Sequence, residues 1–182
     1  MVIDGNGLGI GLMDYMVKSQ IDSAGDTYPD FGIYNDTENF YKKFRTATTE
    51  DDAIYIIKAN APINTEAYSI VQTQLESGKI KFLISERQAQ NKLLGTKVGQ
   101  NMTPEQRDEY LQPFKLTSIL KSEMLNLREE TEGINIILKQ ANKKIPKDKF
   151  SSLCYGLYYI KQEEENKKKK KKFNAKDWAF LN

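Results

Sequence analysis

Two aspartates stand at positions where carboxylates could do chemistry. Asp4 follows a short apolar pair and directly precedes the glycine-rich stretch 5–9. This order predicts a strand, a tight turn and a helix, and places Asp4 at the carboxyl end of the strand, where sites cluster in α/β sheets. Asp148 follows Pro146 and begins an apolar helix. Each carboxylate could bind a hard metal such as Mg²⁺, or could only shape a turn or cap a helix.

Histidine, the commonest catalytic acid and base, is absent from the sequence, and there is a single cysteine, Cys154. Ser-His-Asp and Cys-His catalysis and zinc sites that need imidazole are therefore excluded. The glycine-rich stretch does not match the dinucleotide pattern G-x-G-x-x-G, and no Gly-Lys-Ser/Thr follows it, so a P-loop is absent as well. Any chemistry must rest on carboxylates, hydroxyls, lysines or a hard metal ion.

Length and composition indicate one ordinary globular domain. The chain has 182 residues, of which 39% are apolar and 29% charged. It contains no long apolar run and no signal-peptide pattern, so we expect no membrane partner. A single cysteine cannot form an internal disulfide, which favours the cytoplasm. Residues 161–182 hold eight lysines and four acids, a charge of +4, whereas residues 1–160 carry −2, so the basic character of the chain belongs to this tail.

Apolar periodicity predicts alternating strands and helices, the pattern of an α/β layered domain. The predicted strands are Val2–Asp4, Ile54–Lys58, Ile80–Ile84 and Ile134–Leu138; the predicted helices are Ile10–Val17, Thr65–Leu75, Glu86–Leu94, one beginning at Thr103, 117–130 and one following Asp148; residues 22–50 predict a loop. Because the first strand is shorter than the usual five or six residues, we expect the chain to be a fragment with earlier strands upstream.

Several charged residues surround the second aspartate. The lysines nearest to Asp148 are Lys143, Lys144, Lys147 and Lys149. Such a cluster beside a metal site could hold the phosphates of a DNA backbone without reading its sequence. We expect Glu123 to be an exposed helix acid and Cys154 to lie in the core. The run Lys167–Lys172 lacks interleaved aromatic residues and predicts a solvated segment.

Five stretches of the chain carry a family resemblance: 2–14, 55–64, 93–97, 136–139 and 146–153. The first resembles the hydrophobic–Asp–x–x–Gly–x–Gly element of the terminase large subunits of tailed phages, which lies in their C-terminal, ribonuclease H-like nuclease domain. The others are similar to terminase subunits of phages and prophages of Gram-positive bacteria. The resemblance covers residues 1–160, and its most specific parts are the glycine element and the final aspartate helix.

The resemblance implies a set of site residues. Asp4 corresponds to the family's second strand-end carboxylate and Asp148 to its last, helix-start carboxylate. Both would be catalytic ligands of two Mg²⁺ or Mn²⁺ ions, one activating water and the other stabilising the leaving 3′ oxygen. The family's first carboxylate and its ATPase domain have no counterpart here. Many relatives carry a doubled aspartate followed by Asp-Ala at the last element, whereas this chain has Lys147-Asp148-Lys149 followed by two serines at 151 and 152.

The same resemblance implies a ribonuclease H-like mixed sheet flanked by helices and lacking its first strands. Residues 1–160 would be a truncated nuclease domain, and residues 161–182 a lysine-rich tail. The intact enzyme would be an endonuclease that cuts concatemeric DNA during genome packaging in the cytoplasm of the host cell. Its implied partners are double-stranded DNA, the portal protein and the small terminase subunit. We expect the fragment to nick plasmid DNA in Mn²⁺ only when the missing opening strand is restored.

Two other functions are compatible with the sequence. A non-catalytic, nuclease-derived module would bind DNA or a partner through the basic tail. It predicts no specific Mn²⁺ binding, and a DNA affinity that disappears when residues 163–182 are deleted. Another ribonuclease H-like nuclease, such as a resolvase, would instead prefer branched DNA.

Overall fold

The structure, a computed structural model, describes residues 1–6, 8–44 and 52–172. In chain order its elements are β1 (Val2–Asp4), α1 (Leu8–Met16), β2 (Gln20–Ile21), β3 (Thr27–Tyr28), β4 (Gly32–Ile33), a 3-10 turn (Lys42–Phe44), β5 (Asp52–Ile57), α2 (Ala61–Glu76), α3 (Glu86–Leu94), α4 (Lys97–Asn101), α5 (Pro104–Leu125), β6 (Leu127–Glu132), β7 (Asn135–Gln140) and α6 (Asp148–Lys172). The protein is therefore mixed α/β, with small sheets and more helix than strand, which confirms the predicted class.

The chain divides into two compact units. Unit 1 comprises Met1–Asn64 and the residues from Tyr155 onward, and unit 2 comprises Thr65–Cys154. The division falls within α2 and within α6. Within the described part of the chain, no helix combines the length and apolar character that crossing a membrane requires.

Unit 1 is built around a three-stranded parallel sheet in the order β1-β5-β4. The predicted strands at the start of the chain and at Ile54 are confirmed as β1 and β5. The core of the unit consists of Ile3, Met13, Val17, Ile33 and Ile54, which come from the three strands, from α1 and from the residue after α1. This shared core fixes α1 against the strand that ends in Asp4.

The predicted loop 22–50 contains short strands, so that prediction is wrong in part. β2 and β3 form a small antiparallel hairpin in which Gln20 is opposite Tyr28. The carboxylate of Asp22 accepts hydrogen bonds from the amides of Ala24 and Asp26 and orders the turn. β4 joins the edge of the parallel sheet next to β5. Residues 45–50 of the predicted loop lie outside the described residues.

The helices α3 and α5 begin where the sequence predicts, because each start is determined by local capping residues. Ser85 and Gln88 form a capping box at α3, and Thr103 and Gln106 form one at α5. Helix α2 begins at Ala61, earlier than predicted, because Oδ1 of Asn60 accepts the amide of Ile63.

Two predictions in unit 2 are wrong. Residues 80–84 form no strand, and the carbonyl of Leu83 accepts a hydrogen bond from Lys121 Nζ instead of a neighbouring strand. The predicted helix 117–130 ends at Leu125, and Leu127–Glu132 forms β6, which pairs along its whole length with β7. Gly133, with φ of +61°, permits the tight connection between these two strands. Glu129, Glu130 and Glu132 therefore lie on a strand.

Candidate functional site

Asp4 is the last residue of β1, opposite Ile57 of β5, and its side chain is exposed. Its Oδ1 accepts a hydrogen bond of 3.0 Å from the amide of Asn6. This is the contact of an Asx turn, which shapes the chain ahead of α1. The predicted order of strand, turn and helix is confirmed, and Asp4 lies at the carboxyl end of a parallel strand.

The turn after Asp4 is held to the last residue of β5 and to the segment after it by two further hydrogen bonds. The Gly5 amide donates to the Ile57 carbonyl at 2.7 Å, and Asn6 Nδ2 donates to the Ala59 carbonyl at 3.1 Å. The beginning of α1 approaches the strand so closely that a Cβ at Gly9 would lie 1.6 Å from the Asp4 carbonyl oxygen. Glycine at this position therefore determines how α1 leaves the strand and where Asp4 is presented.

A pocket of about 490 Å³ opens at the carboxyl ends of β4 and β5, lined in part by Asn35, Asp36, Lys58 and Tyr158. Its polar groups are largely committed to the fold. Asn35 bonds both the amide and the carbonyl of Ile56, at 2.9 and 2.7 Å. The carboxylate of Asp36 accepts three amides from residues 40–42. These contacts give Asn35 and Asp36 structural roles.

Tyrosines of α6 pack in unit 1. The ring of Tyr159 lies 4.7 Å from that of Tyr55, and the Tyr155 hydroxyl donates to Asn64 Oδ1 at 3.2 Å. A hydrogen bond to Glu163, together with its negative charge, raises the pKa of Tyr34. These ring contacts and the Glu163 carboxylate stabilise the part of α6 that belongs to unit 1.

Asp148 begins α6 in unit 2, and its side chain is exposed. The Lys147 carbonyl accepts the first helical bond, from the Ser151 amide at 2.9 Å, so Lys147 occupies the N-cap position. Asp148 is thus the first helical residue and not the cap. Its negative charge is favourable next to the helix N-terminus, and its carboxylate points to solvent.

Glu123 is buried, and the prediction of an exposed acid is wrong. The residue is 1% exposed, and its Oε2 accepts a hydrogen bond of 2.9 Å from the amide of Phe150 in α6. Its Oε1 is also buried and has no hydrogen-bond partner among the described residues. The sequence held a signal for this burial, since Glu123 lies three residues after Leu120 and seven after Leu116, at the spacing of the apolar residues of its helix.

The four lysines around Asp148 differ in exposure. Lys143 and Lys144 are exposed, whereas Lys147 and Lys149 are half-buried. Lys147 Nζ lies 3.4 Å from the Leu138 carbonyl, to which it donates. Lys143 and Lys144 are therefore the most accessible for contact with a phosphate.

The predicted ligands Asp4 and Asp148 belong to different units, and each is an exposed carboxylate at the start of a turn or helix. Across the described ranges, no group of three or more acidic or cysteine side chains could hold a metal ion. Cys154 is buried as predicted, and burial raises the pKa of its thiol to about 12. The thiol is therefore protonated at neutral pH and is not a nucleophile.

Comparison with known proteins adds no relative: no family model matches the chain, and no curated protein or solved structure shows significant similarity to it.

Proposed function

We propose that this chain is the nuclease part of a terminase-like DNA endonuclease, with Asp4 and Asp148 as metal ligands. The carrying observation is the position of Asp4: an exposed carboxylate at the carboxyl end of a parallel strand, on a turn held by two hydrogen bonds to residues of the β5 end. A catalytic ligand needs to be both accessible and held in place. The sequence resemblance assigns the same residue to the metal site.

The second proposed ligand, Asp148, lies at the start of α6 in unit 2. Asp148 is exposed, and its helix turn is fixed from α5 by Glu123. The exposed Lys143 and Lys144 precede it and would contact DNA phosphates as point charges. The ribonuclease H-like sheet, the role in genome packaging and the portal and small-subunit partners rest on the resemblance.

The donor chemistry of these residues suits Mg²⁺ or Mn²⁺, because both ions prefer carboxylate oxygens and keep several waters. Asp4 and Asp148 would each supply one carboxylate, and further ligands would have to come from elsewhere, since the described residues contain no group of three. When bound, such ions generate a nucleophilic water and stabilise the leaving oxygen in phosphodiester hydrolysis. The protein's own part is to hold the two carboxylates and to attract the DNA backbone.

Titration of the chain with Mn²⁺ tests this proposal, with free Mn²⁺ measured by electron paramagnetic resonance. We expect Asp4→Asn and Asp148→Asn each to weaken Mn²⁺ binding about 10- to 100-fold or more, since even the loss of a residue supporting a ligand costs that much. Asp14→Asn is the matched control because Asp14 is an exposed aspartate of α1. Mn²⁺ binding that is unchanged in both Asp4→Asn and Asp148→Asn would contradict the proposal.

A second candidate function is favoured by the end of α6, where the helix continues through the six lysines Lys167–Lys172. A helix that carries consecutive cations attracts any polyanion, without catalysis and without base recognition. In this alternative the chain is a binding module, and the lysine-rich end of α6 carries its affinity for DNA.

Two lysine-to-glutamine variants separate the candidates by DNA affinity at several salt concentrations. One replaces Lys167–Lys172, where glutamine preserves helix propensity; the other replaces Lys143, Lys144, Lys147 and Lys149. The nuclease proposal predicts that the second variant loses more affinity and has the shallower salt dependence, by up to about 0.9 in log-log slope per lost phosphate contact. The larger loss in the first variant would favour the binding module.

A further inference from the structure

The start of α6 is capped by a side chain from another helix. The amide of Phe150 is among the first helical amides, which have no partner within their own helix. Lys147, at the N-cap position, has no side-chain acceptor to offer. The carboxylate of Glu123 in α5 supplies the acceptor instead, at 2.9 Å. The first turn of α6 therefore depends on a residue 27 positions earlier in the chain.

Stability by itself explains this arrangement poorly. Glu123 is 1% exposed, and its Oε1 has no hydrogen-bond partner within the described part of the chain. Removing a carboxylate from water is costly, and apolar replacements of buried charged groups are often neutral or stabilising. A charge-assisted bond to a helix N-terminus is short and directional, so it fixes a geometry well.

The same end of α5 also fixes the loop that leads to Asp148. Asn126 and Asn142 exchange two hydrogen bonds of 2.9 Å, and the Ala141 amide donates to the Asn126 carbonyl at 2.8 Å. Gln140 Nε2 donates to the Ile145 carbonyl at 2.6 Å. The backbone before and after Asp148 is thus held in place, while its carboxylate is exposed.

We infer that Glu123 is a positioning residue for Asp148. By holding the Phe150 amide, it sets the orientation of the first turn of α6 and presents the Asp148 carboxylate to a divalent cation. This inference rests on the proposed function of Asp148 as a metal ligand. Residues that orient ligands in this way typically change metal affinity 10- to 100-fold when they are replaced.

The test uses the full chain, with Mn²⁺ as the probe, and three substitutions of Glu123. Glu123→Leu removes the acceptor, Glu123→Asp keeps the charge but withdraws the oxygen from Phe150, and Glu123→Gln keeps an oxygen that can accept the amide. We expect the Leu and Asp variants to bind Mn²⁺ about 10- to 100-fold more weakly, and the Gln variant to recover most of the affinity. Amide hydrogen exchange at residues 149–151 is expected to accelerate in the first two variants only.

Glu109→Leu is the matched control, because Glu109 is an exposed acid of the same helix and should leave both measurements unchanged. Wild-type Mn²⁺ affinity in the Leu and Asp variants would overturn the positioning role, and so would unchanged exchange at 149–151. If Asp148→Asn binds Mn²⁺ as tightly as the unsubstituted chain, the proposed role of Asp148 as a metal ligand is wrong, and the inference about Glu123 is wrong with it. If Glu123→Leu does not fold, the Mn²⁺ affinities of Glu123→Asp and Glu123→Gln still test the positioning role.

Discussion

Gly9→Ala is expected to lower the free energy of unfolding by about 3 kcal/mol, the upper end of the usual cost of overpacking. A Cβ at this position would lie 1.6 Å from the carbonyl oxygen of Asp4 and 2.8 Å from its carbonyl carbon. Both are backbone atoms, so no side chain can rotate away to relieve the clash. Either α1 or the end of β1 has to move, and the turn that presents Asp4 moves with it.

Gly11→Ala is the matched control for this substitution. Gly11 lies in the same helix, and a Cβ there would meet nothing within 4 Å. Alanine at an open helical position restricts the unfolded chain, so we expect a gain of about 0.4–1 kcal/mol. Urea unfolding followed by far-ultraviolet circular dichroism measures both variants. Equal stability of the two would show that α1 does not approach β1 as closely as described.

Asp4→Asn is expected to abolish Mn²⁺-dependent cleavage. In a form of the protein that carries the opening strand implied by the terminase resemblance, we expect the nicking rate of supercoiled plasmid to fall about 1,000-fold or more. Metal assistance to phosphodiester hydrolysis supplies several kcal/mol of transition-state stabilisation, and each 1.36 kcal/mol corresponds to about tenfold in rate. Asparagine has nearly the same shape as aspartate, so the turn to Asn6 is preserved while the negative charge of the proposed ligand is lost.

Asp14→Asn again serves as the control and should nick at the unsubstituted rate. Circular dichroism establishes that Asp4→Asn is folded, so that loss of activity is not loss of structure. An Asp4→Asn variant that nicks plasmid normally would rule out Asp4 as a catalytic ligand. Nicking that persists with excess chelator would rule out the proposed metal dependence.

Features determined by neighbouring residues were predictable from the sequence. The capping boxes at Ser85 and Thr103 act within one turn and set the beginnings of α3 and α5. The order of strand, glycine turn and helix around Asp4 is equally local, because an apolar strand, a small turn and an amphipathic helix are each favoured by their own residues. The proposed ligands could be selected for the same reason, since both stand at element boundaries.

Features that depend on distant partners were not predictable in this way. Leu127 continues the apolar spacing of α5, yet it belongs to β6 because six consecutive residues find antiparallel partners in β7. Residues 80–84 have strand-forming side chains, but the Leu83 carbonyl bonds a side chain of α5 and no strand pairs with the segment among the described residues. Local propensity is a weak determinant where pairing across the sheet decides the structure.

The sequence by itself determined which carboxylates stand at the ends of elements, because strand, turn and helix signals act over a few neighbouring residues. Only the tertiary structure decided how those carboxylates are held. At Gly9 the backbone of α1 packs closely against the end of β1. The hydrogen bond between Glu123 and Phe150 joins two helices that are distant in the chain. Such contacts depend on which surfaces meet, and that is a property of the whole fold and not of a local pattern.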